Sequence, residues 1–324
     1  MFMNSTIILF YSNMLLGVMF SLSSNNWMMV WVGLEISLMS FIPLMISNLA
    51  VSSECSMKYF IVQSMSSSLF ILGVVFMLMG VNINYEIIVV LSMMMKMGVA
   101  PFHTWLLSMV EGLNYMILFS MFTVMKIVPM MIVINMNLNL SLVISLTLIV
   151  GSVFGLNQNS VRKILAYSSI FNMGFMLYSI SNLSLWLLYF VIYSLNLFML
   201  TLILMLNNVN YLNQLIINKV ELKSKLSIWI LMLSSGGMPP MMGFMGKLIV
   251  IELSILFNDW LISLLMILTS LLVMFYYNRL CFIVMSISSL MTKWKVSFIF
   301  WLNLNIMVVN IMSLPILILI KYLT

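Results

Sequence analysis

The fold class predicted is an all-α polytopic membrane protein with about eleven transmembrane helices. Two five-helix units (helices 1–5 and 6–10) form an inverted repeat, and a C-terminal helix follows. Three observations carry this. Of 324 residues, 64% are hydrophobic and 6% charged, where a soluble domain has about 45–50% and about 25%; so few charges cannot cover a water-facing surface. The basic residues gather on alternate connections between apolar segments. Two apolar segments, five apart in order, are interrupted by glycine and proline.

Spanning the hydrocarbon core takes about 20 apolar residues. Cutting the chain at its polar clusters predicts spans at roughly 2–22, 26–47, 56–80, 84–107, 112–134, 139–157, 161–181, 184–207, 227–257, 260–284 and 297–321. The opening "MFMNSTIILFYSNMLLGVMF" has no basic leader and no small-residue cleavage site, so it is read as the first span rather than a signal peptide. Connections are short, the longest polar stretch being "NNVNYLNQLIINKVELKSK". The chain is therefore expected to be one membrane domain, 1–324, with repeat one over about 1–134, repeat two over about 139–284 and the last helix over about 297–321.

Loops after spans 2, 4, 6, 8 and 10 hold Lys58, Arg162, Lys163, Lys219, Lys223, Lys225, Lys293 and Lys295, with Arg279 at the end of span 10; the other side holds Lys321. Positive charge marks the inner side of a membrane protein, so the N-terminus is expected there. Glu54, Glu86, Glu111, Glu221 and Asp259 are expected as solvated loop charges.

Span 4 contains "KMGVAP" and span 9 "SSGGMPPMMG". Proline removes a backbone donor and glycine weakens a helix. Freed carbonyls at membrane depth must be satisfied by protein or water. Each break lies in the fourth helix of its five, and because five is odd the second set enters from the opposite face. That is the pattern of secondary transporters, whose broken helices line the transport path.

Four charges sit inside the spans: Glu35 in "WVGLEISLMS", Lys96 in "LSMMMKMGVAPFHTWLL", Lys126 in "FTVMKIVPMM" and Lys247 in "PPMMGFMGKLIVIEL". A central charge costs about 2.5–3.5 kcal/mol, so four cost on the order of 10 kcal/mol unless paired or hydrated. One reading is fixed ion pairs between helices; the other, favoured by the two neighbouring breaks, is a proton path. Lysine suits such work because its charge is readily lost on desolvation and regained beside a carboxylate. Glu35 is then expected within reach of Lys96, directly or through one water. The helix dipole, worth about 0.3–1 kcal/mol, is expected to favour a cation at Lys96, which ends a half-helix, and to disfavour one at Lys247, which begins one.

His103, after Pro101, is either a proton-passing group near the positive side or an interfacial histidine bonded to backbone. Glu252 near the end of span 9 is either a further proton-path group or a snorkelling carboxylate. Cys55 and Cys281 have no metal-ligand spacing, and one histidine is too few for a haem or His-rich centre. There is no nucleotide-binding glycine loop and no HExxH. No metal, flavin, iron–sulfur or nicotinamide site is expected in this chain, and no nucleic-acid partner.

The segments "WVGLEISLMSFIPLM", "SSECSMKYFIVQS", "MKMGVAPFHTWL", "EGLNY", "LNQNSVRKILAYSSIFNMGFM" and "GGMPPMMGFMGKLIVIE" together resemble the chain 2 family of mitochondrial NADH:ubiquinone oxidoreductase, respiratory complex I, in its insect or arthropod form. The excess of Met, Ile, Leu, Phe, Asn and Ser also resembles proteins of AT-rich animal mitochondrial genomes. The resemblance implies an antiporter-like fold of eleven helices. It implies that Glu35, Lys96, Lys126 and Lys247 match the family's proton path. It further implies a multi-pass protein of the mitochondrial inner membrane with its positive side in the matrix, working among other membrane subunits and lipids rather than as a stand-alone monomer. NADH, FMN, iron–sulfur clusters and ubiquinone would belong to partner subunits, whose electron transfer drives proton movement here. Asn172 stands where the family often has histidine, Gly246 replaces a proline before the last lysine, and the "PE" that often follows the family's "FHFW" is missing. The rival readings are a subunit of a cation/proton antiporter and a structural membrane subunit with fixed buried ion pairs.

Overall fold

The computed structural model describes residues 5–47, 50–80, 84–136, 138–211, 214, 222–286 and 310. The expected last helix at about 297–321 lies outside the described residues apart from Asn310, as do Lys219, Glu221, Lys293, Lys295, Lys321 and the side chain of Lys223. The regular elements among the described residues are α1 (Ser5–Ser23), α2 (Trp27–Met45), α3 (Ala50–Met79), α4 (Tyr85–Met97), α5 (Thr104–Val110), α6 (Tyr115–Phe122), α7 (Val124–Ile134), α8 (Ser141–Val153), α9 (Val161–Ser179), α10 (Leu183–Leu206), α11 (Leu222–Gly236), α12 (Met242–Leu256) and α13 (Trp260–Ser286). Among the described residues, six helical segments are long and apolar enough to cross a membrane: α1, α2, α3, α6 with α7, α10 and residues Trp260–Phe282 of α13. The chain divides into two compact units, Met1–Leu140 and Ser141–Thr324.

In the first unit α1 lies against α2, α2 against α3, α3 against α4 and α5, and α7 against α4 and α1. The α1–α2 contact is close because both faces carry small residues four apart. A Cβ on Gly17 would come within 2.8 Å of the Ser37 nitrogen, and one on Gly33 within 2.8 Å of the Gly17 carbonyl. Ser21 and Ser37 fold their hydroxyls back onto Val18 and Leu34, so they present little bulk. Without a hydrophobic drive between helices in lipid, such small-residue contacts are what bring backbones together. They fix the height of α2, and with it Glu35.

In the second unit α9 is the central element. Apart from Arg162 and Lys163, its residues are buried, under α8, α10 and α12. This explains a helix with Ser168, Ser169, Asn172 and Ser179 in an otherwise apolar chain: it faces protein rather than lipid. Glycines let α8 reach it, since a Cβ on Gly151 would meet the Phe171 backbone nitrogen at 2.6 Å. At one end, Arg279 on α13 donates to the carbonyls of Leu156 and Gln158, both at 2.7 Å.

Spans 4 and 9 are each interrupted, and in the same way. Gly98 (φ +68°) and Gly237 (φ +87°) take the left-handed conformation that a side chain resists. The next amides reach back to close the helix end, Val99 N–H to Met94 O and Met238 N–H to Leu233 O, at 3.2 and 3.1 Å; this is the six-to-one bond of a Schellman cap. Each is followed three residues later by a cis proline, Pro101 and Pro240.

Three expectations are revised. Span 5 is also irregular, because the α-helical run stops at Thr123 (φ −116°, ψ −76°) between α6 and α7; the Thr123 hydroxyl takes the Phe119 carbonyl at 2.7 Å. Lys225 is a buried residue of α11, not a loop charge. Asp259 is not simply solvated: the Tyr178 hydroxyl donates to it at 2.8 Å, tying the end of α9 to the start of α13.

Candidate functional site

Glycine and proline end α4 at Met97, and its last carbonyls are taken by the cap amides and by a side chain of the neighbouring helix. Lys96 sits in that last turn, 8% exposed. Its carbonyl is taken by the Gln63 side-chain amide of α3 at 3.3 Å. Gln63, Lys96, Tyr59, Ser37, Met125 and Pro129 are among the lining of a cavity of about 20 Å³, roomy enough for one water. Pro129 adds to its polarity, since a proline has no N–H to offer the carbonyl four residues earlier.

Glu35 on α2 is brought to the same neighbourhood. Its charge acts on both Lys96 and Tyr59, and its Oε1 is buried without a hydrogen-bond partner. Among the described residues no direct ion pair joins Glu35 to Lys96. Lys126, on α7, is buried, with Nζ 5.4 Å from the centre of the Phe122 ring and no hydrogen-bond partner in the described structure. It follows the cavity-lining Met125 in sequence. His103 takes the backbone-bonded arrangement: Nδ1–H donates to the Pro101 carbonyl at 3.1 Å.

In the second unit the break and the lysine are one feature. Lys247 on α12 reaches back across the interruption, and its ammonium donates to the carbonyls of Gly236 at 2.7 Å and Ser235 at 3.2 Å. The Phe171 ring centre is 5.2 Å from Nζ. The expected dipole effect is thereby reversed. The lysine belongs by sequence to the start of a half-helix, but its long stem places the charge on the negative, carbonyl end of α11. Close approach of the two half-helices makes this reach short, since a Cβ on Gly243 would overlap the Ser234 carbonyl oxygen.

Lys247 lines a cavity of about 30 Å³ with Asn172, Tyr189, Tyr193, Asn196 and Ser234 among its polar walls. The Tyr189 hydroxyl donates to Asn172 Oδ1 at 2.9 Å, so the position where histidine was expected by resemblance holds a neutral amide paired to a phenol. Glu252 is half-buried on α12 and does not line this cavity; five residues carry it about 140° around the helix from Lys247.

Sequence reasoning missed Gln63, Tyr59, Asn196 and the tyrosines of α10. The signal was present, as each is a polar side chain inside an apolar span, but neutral residues cost less to bury than charges and stand out less. One consequence is testable. Gln63→Leu removes the donor from the Lys96 carbonyl, and an unsatisfied buried acceptor costs about 1–3 kcal/mol. The assembled protein should lose heat stability by that amount, whereas Gln63→Glu cannot donate when ionised and should be no better.

The residues from 24 to 273 match the family model described as "NADH:quinone oxidoreductase/Mrp antiporter, TM". Over 301 residues the chain is 34% identical to NADH-ubiquinone oxidoreductase chain 2 of Anopheles gambiae, covering 88% of each protein. Over 295 residues it is 37% identical to the same chain of Locusta migratoria, covering 87% of this chain and 86% of the relative. The chain belongs to the NADH-ubiquinone oxidoreductase chain 2 family. The fold agrees: a chain of respiratory complex I from Thermus thermophilus superposes with a TM-score of 0.83 at 19% identity, over 97% of this chain and 80% of that one. For a chain 2 family member, an all-helical body with interrupted helices and buried lysines is an antiporter-like membrane fold.

Proposed function

We propose that this chain is a proton-translocating membrane subunit of respiratory complex I, driven by NADH-to-ubiquinone electron transfer in partner subunits. Glu35, Lys96, Lys126 and Lys247 carry the protons. The observation that carries the reading is Lys247, whose buried ammonium rests on the carbonyls of a broken helix beside a cavity of water size. A fixed ion pair would need a carboxylate; among the described residues the lining of that cavity contains none. A lysine held by neutral carbonyls keeps its place whether charged or not, which is what loading and unloading require.

Further parts of the reading follow from the same architecture. The two units are an inverted repeat, each with its glycine-capped break in the fourth of five spans, and a final helix completes eleven. NADH, FMN, iron–sulfur clusters and ubiquinone act in partner subunits. The membrane is the mitochondrial inner one, with the N-terminus in the matrix. The apolar faces of α1, α3 and α13 that remain open, such as Leu16, Leu78 and Phe275, are covered by neighbouring membrane subunits and lipid. Glu35 and Lys96 exchange charge through the water-sized cavity on the Lys96 side: with the carboxylate near, the ammonium is held, and with it withdrawn the proton moves on toward Lys126. His103 and Glu252 remain outside this core.

Lys96→Met tests the reading. It keeps the volume and removes the charge, and because Gln63 rather than the ammonium holds the Lys96 carbonyl, the complex should assemble. Proton translocation per NADH oxidised by inner-membrane vesicles should fall severalfold. Wild-type translocation by an assembled Lys96→Met complex would overturn the assignment.

A further inference from the structure

We propose that Tyr193 is a positioning residue for the proton of Lys247: its hydroxyl holds the water with which the ammonium exchanges. The inference rests on the reading of Lys247 as a proton carrier and adds the direction in which the proton leaves.

A lysine ammonium has three N–H donors and no acceptor. Two are committed, to the carbonyls of Ser235 and Gly236. Losing one proton leaves an amine with two N–H groups and a lone pair. The two carbonyls retain the two N–H groups, because a carbonyl accepts and cannot donate. The proton that departs is therefore the third, and the lone pair it leaves faces away from the break. Lys247 also lines the cavity of about 30 Å³, which holds at least one water by volume.

The walls of that cavity then decide what receives the proton. Among the described lining residues there is no aspartate, glutamate or histidine. Of the wall's hydroxyls, Tyr189 gives its proton to Asn172, and Ser168, Ser234 and Ser235 give theirs to the Leu165, Leu231 and Met232 carbonyls. The Tyr193 hydroxyl is different. It is buried in the wall of the same cavity and makes no hydrogen bond that meets ordinary geometry. Ser169 is near enough to interact with it but outside ordinary hydrogen-bond geometry, and the one Ser169 hydroxyl proton goes to the Ala166 carbonyl at 2.7 Å. A buried hydroxyl left without a partner costs about 1–3 kcal/mol, and a water in the cavity removes that cost. Such a water accepts from Tyr193 or from Lys247 and can donate in turn. The step is a plain proton transfer: one N–H bond of the ammonium breaks, one O–H bond of the water forms, and the neutral amine and a hydrated proton result.

The test is made on the intact complex. A high-resolution map of the wild-type assembly should show water density within about 3 Å of both Tyr193 Oη and Lys247 Nζ. Tyr193→Phe removes one oxygen and keeps the ring. It should assemble normally, translocate severalfold fewer protons per NADH, and show an enlarged solvent deuterium effect on the coupled rate. Tyr276→Phe is the control, since Tyr276 is also a buried hydroxyl without a partner but is not in the cavity wall; it should behave as wild type. Absence of the bridging density, or full translocation by Tyr193→Phe beside an inactive Lys247→Met, overturns the proposal and leaves the role of Lys247 standing. Full translocation by Lys247→Met overturns that role and this proposal together. If Tyr193→Phe fails to assemble, the wild-type map decides.

Discussion

Lys247→Met should abolish most proton translocation and also weaken the protein, whereas Lys247→Arg should separate the two effects. The ammonium satisfies the Ser235 and Gly236 carbonyls at the end of α11. Methionine fills similar volume but donates nothing, so two buried acceptors lose their partner. At about 1–3 kcal/mol each, the loss is roughly 2–6 kcal/mol, a large share of a typical domain's stability of about 5–15 kcal/mol. The expected result is a complex that assembles in reduced amount and inactivates faster on heating. Arginine retains the positive charge and several N–H donors, so stability should largely return. It does not release its proton at physiological pH, so translocation should stay at least about tenfold below wild type. If Lys247→Arg restores both, the residue acts only as a cap. If Lys247→Met is as stable as wild type, the carbonyl contacts carry no weight. The contrast with Lys96→Met is diagnostic, since Lys96 does not cap its own break and its loss should leave stability nearly unchanged.

Gly243→Ala should prevent assembly, while Gly236→Ala in the same run of residues should be tolerated. The added methyl at 243 would lie on the Ser234 carbonyl oxygen, a backbone atom that cannot turn aside. The half-helices would have to separate, drawing Lys247 away from its carbonyls. Overpacking a close contact costs about 1–3 kcal/mol when side chains can adjust, and here they cannot, so the cost should lie above that range. At Gly236 the nearest atoms are 3.6 Å away, ordinary van der Waals contact, and the residue is helical. Levels of assembled complex for the two variants provide the measurement. Equal levels would mean that the close approach of α11 and α12 is not required.

These two glycines also mark what sequence can and cannot tell. Both stand in "SSGGMPPMMG", and nothing local separates them; only the neighbouring backbone does. The location of the breaks was legible, because glycine and proline act on their own backbone whatever surrounds them. The buried Lys96, Lys126 and Lys247 and the half-buried Glu35 were legible for a related reason, whereas the buried Lys225 was not: a charge in an apolar span is expensive wherever its partner lies. The alternation of basic loops predicts an orientation, since that expectation depends on the order of the loops and on nothing else.

What the tertiary structure decided is where those side chains end. By sequence Lys247 opens a half-helix and meets its positive pole, yet a four-carbon stem crosses the gap and puts the charge on the carbonyls of the preceding half-helix. Gln63 and Asp259 belong to the same class. The Gln63 bond to Lys96 and the Tyr178 bond to Asp259 depend on contacts between segments set by folding. Composition, breakers and charge cost are properties of a residue and its immediate neighbours, so the sequence alone determined a membrane-spanning helical chain with two interrupted spans and four charges inside its spans. Partners, cavities and the direction in which a lysine points are properties of distances between segments far apart in the chain, and only packing sets those distances.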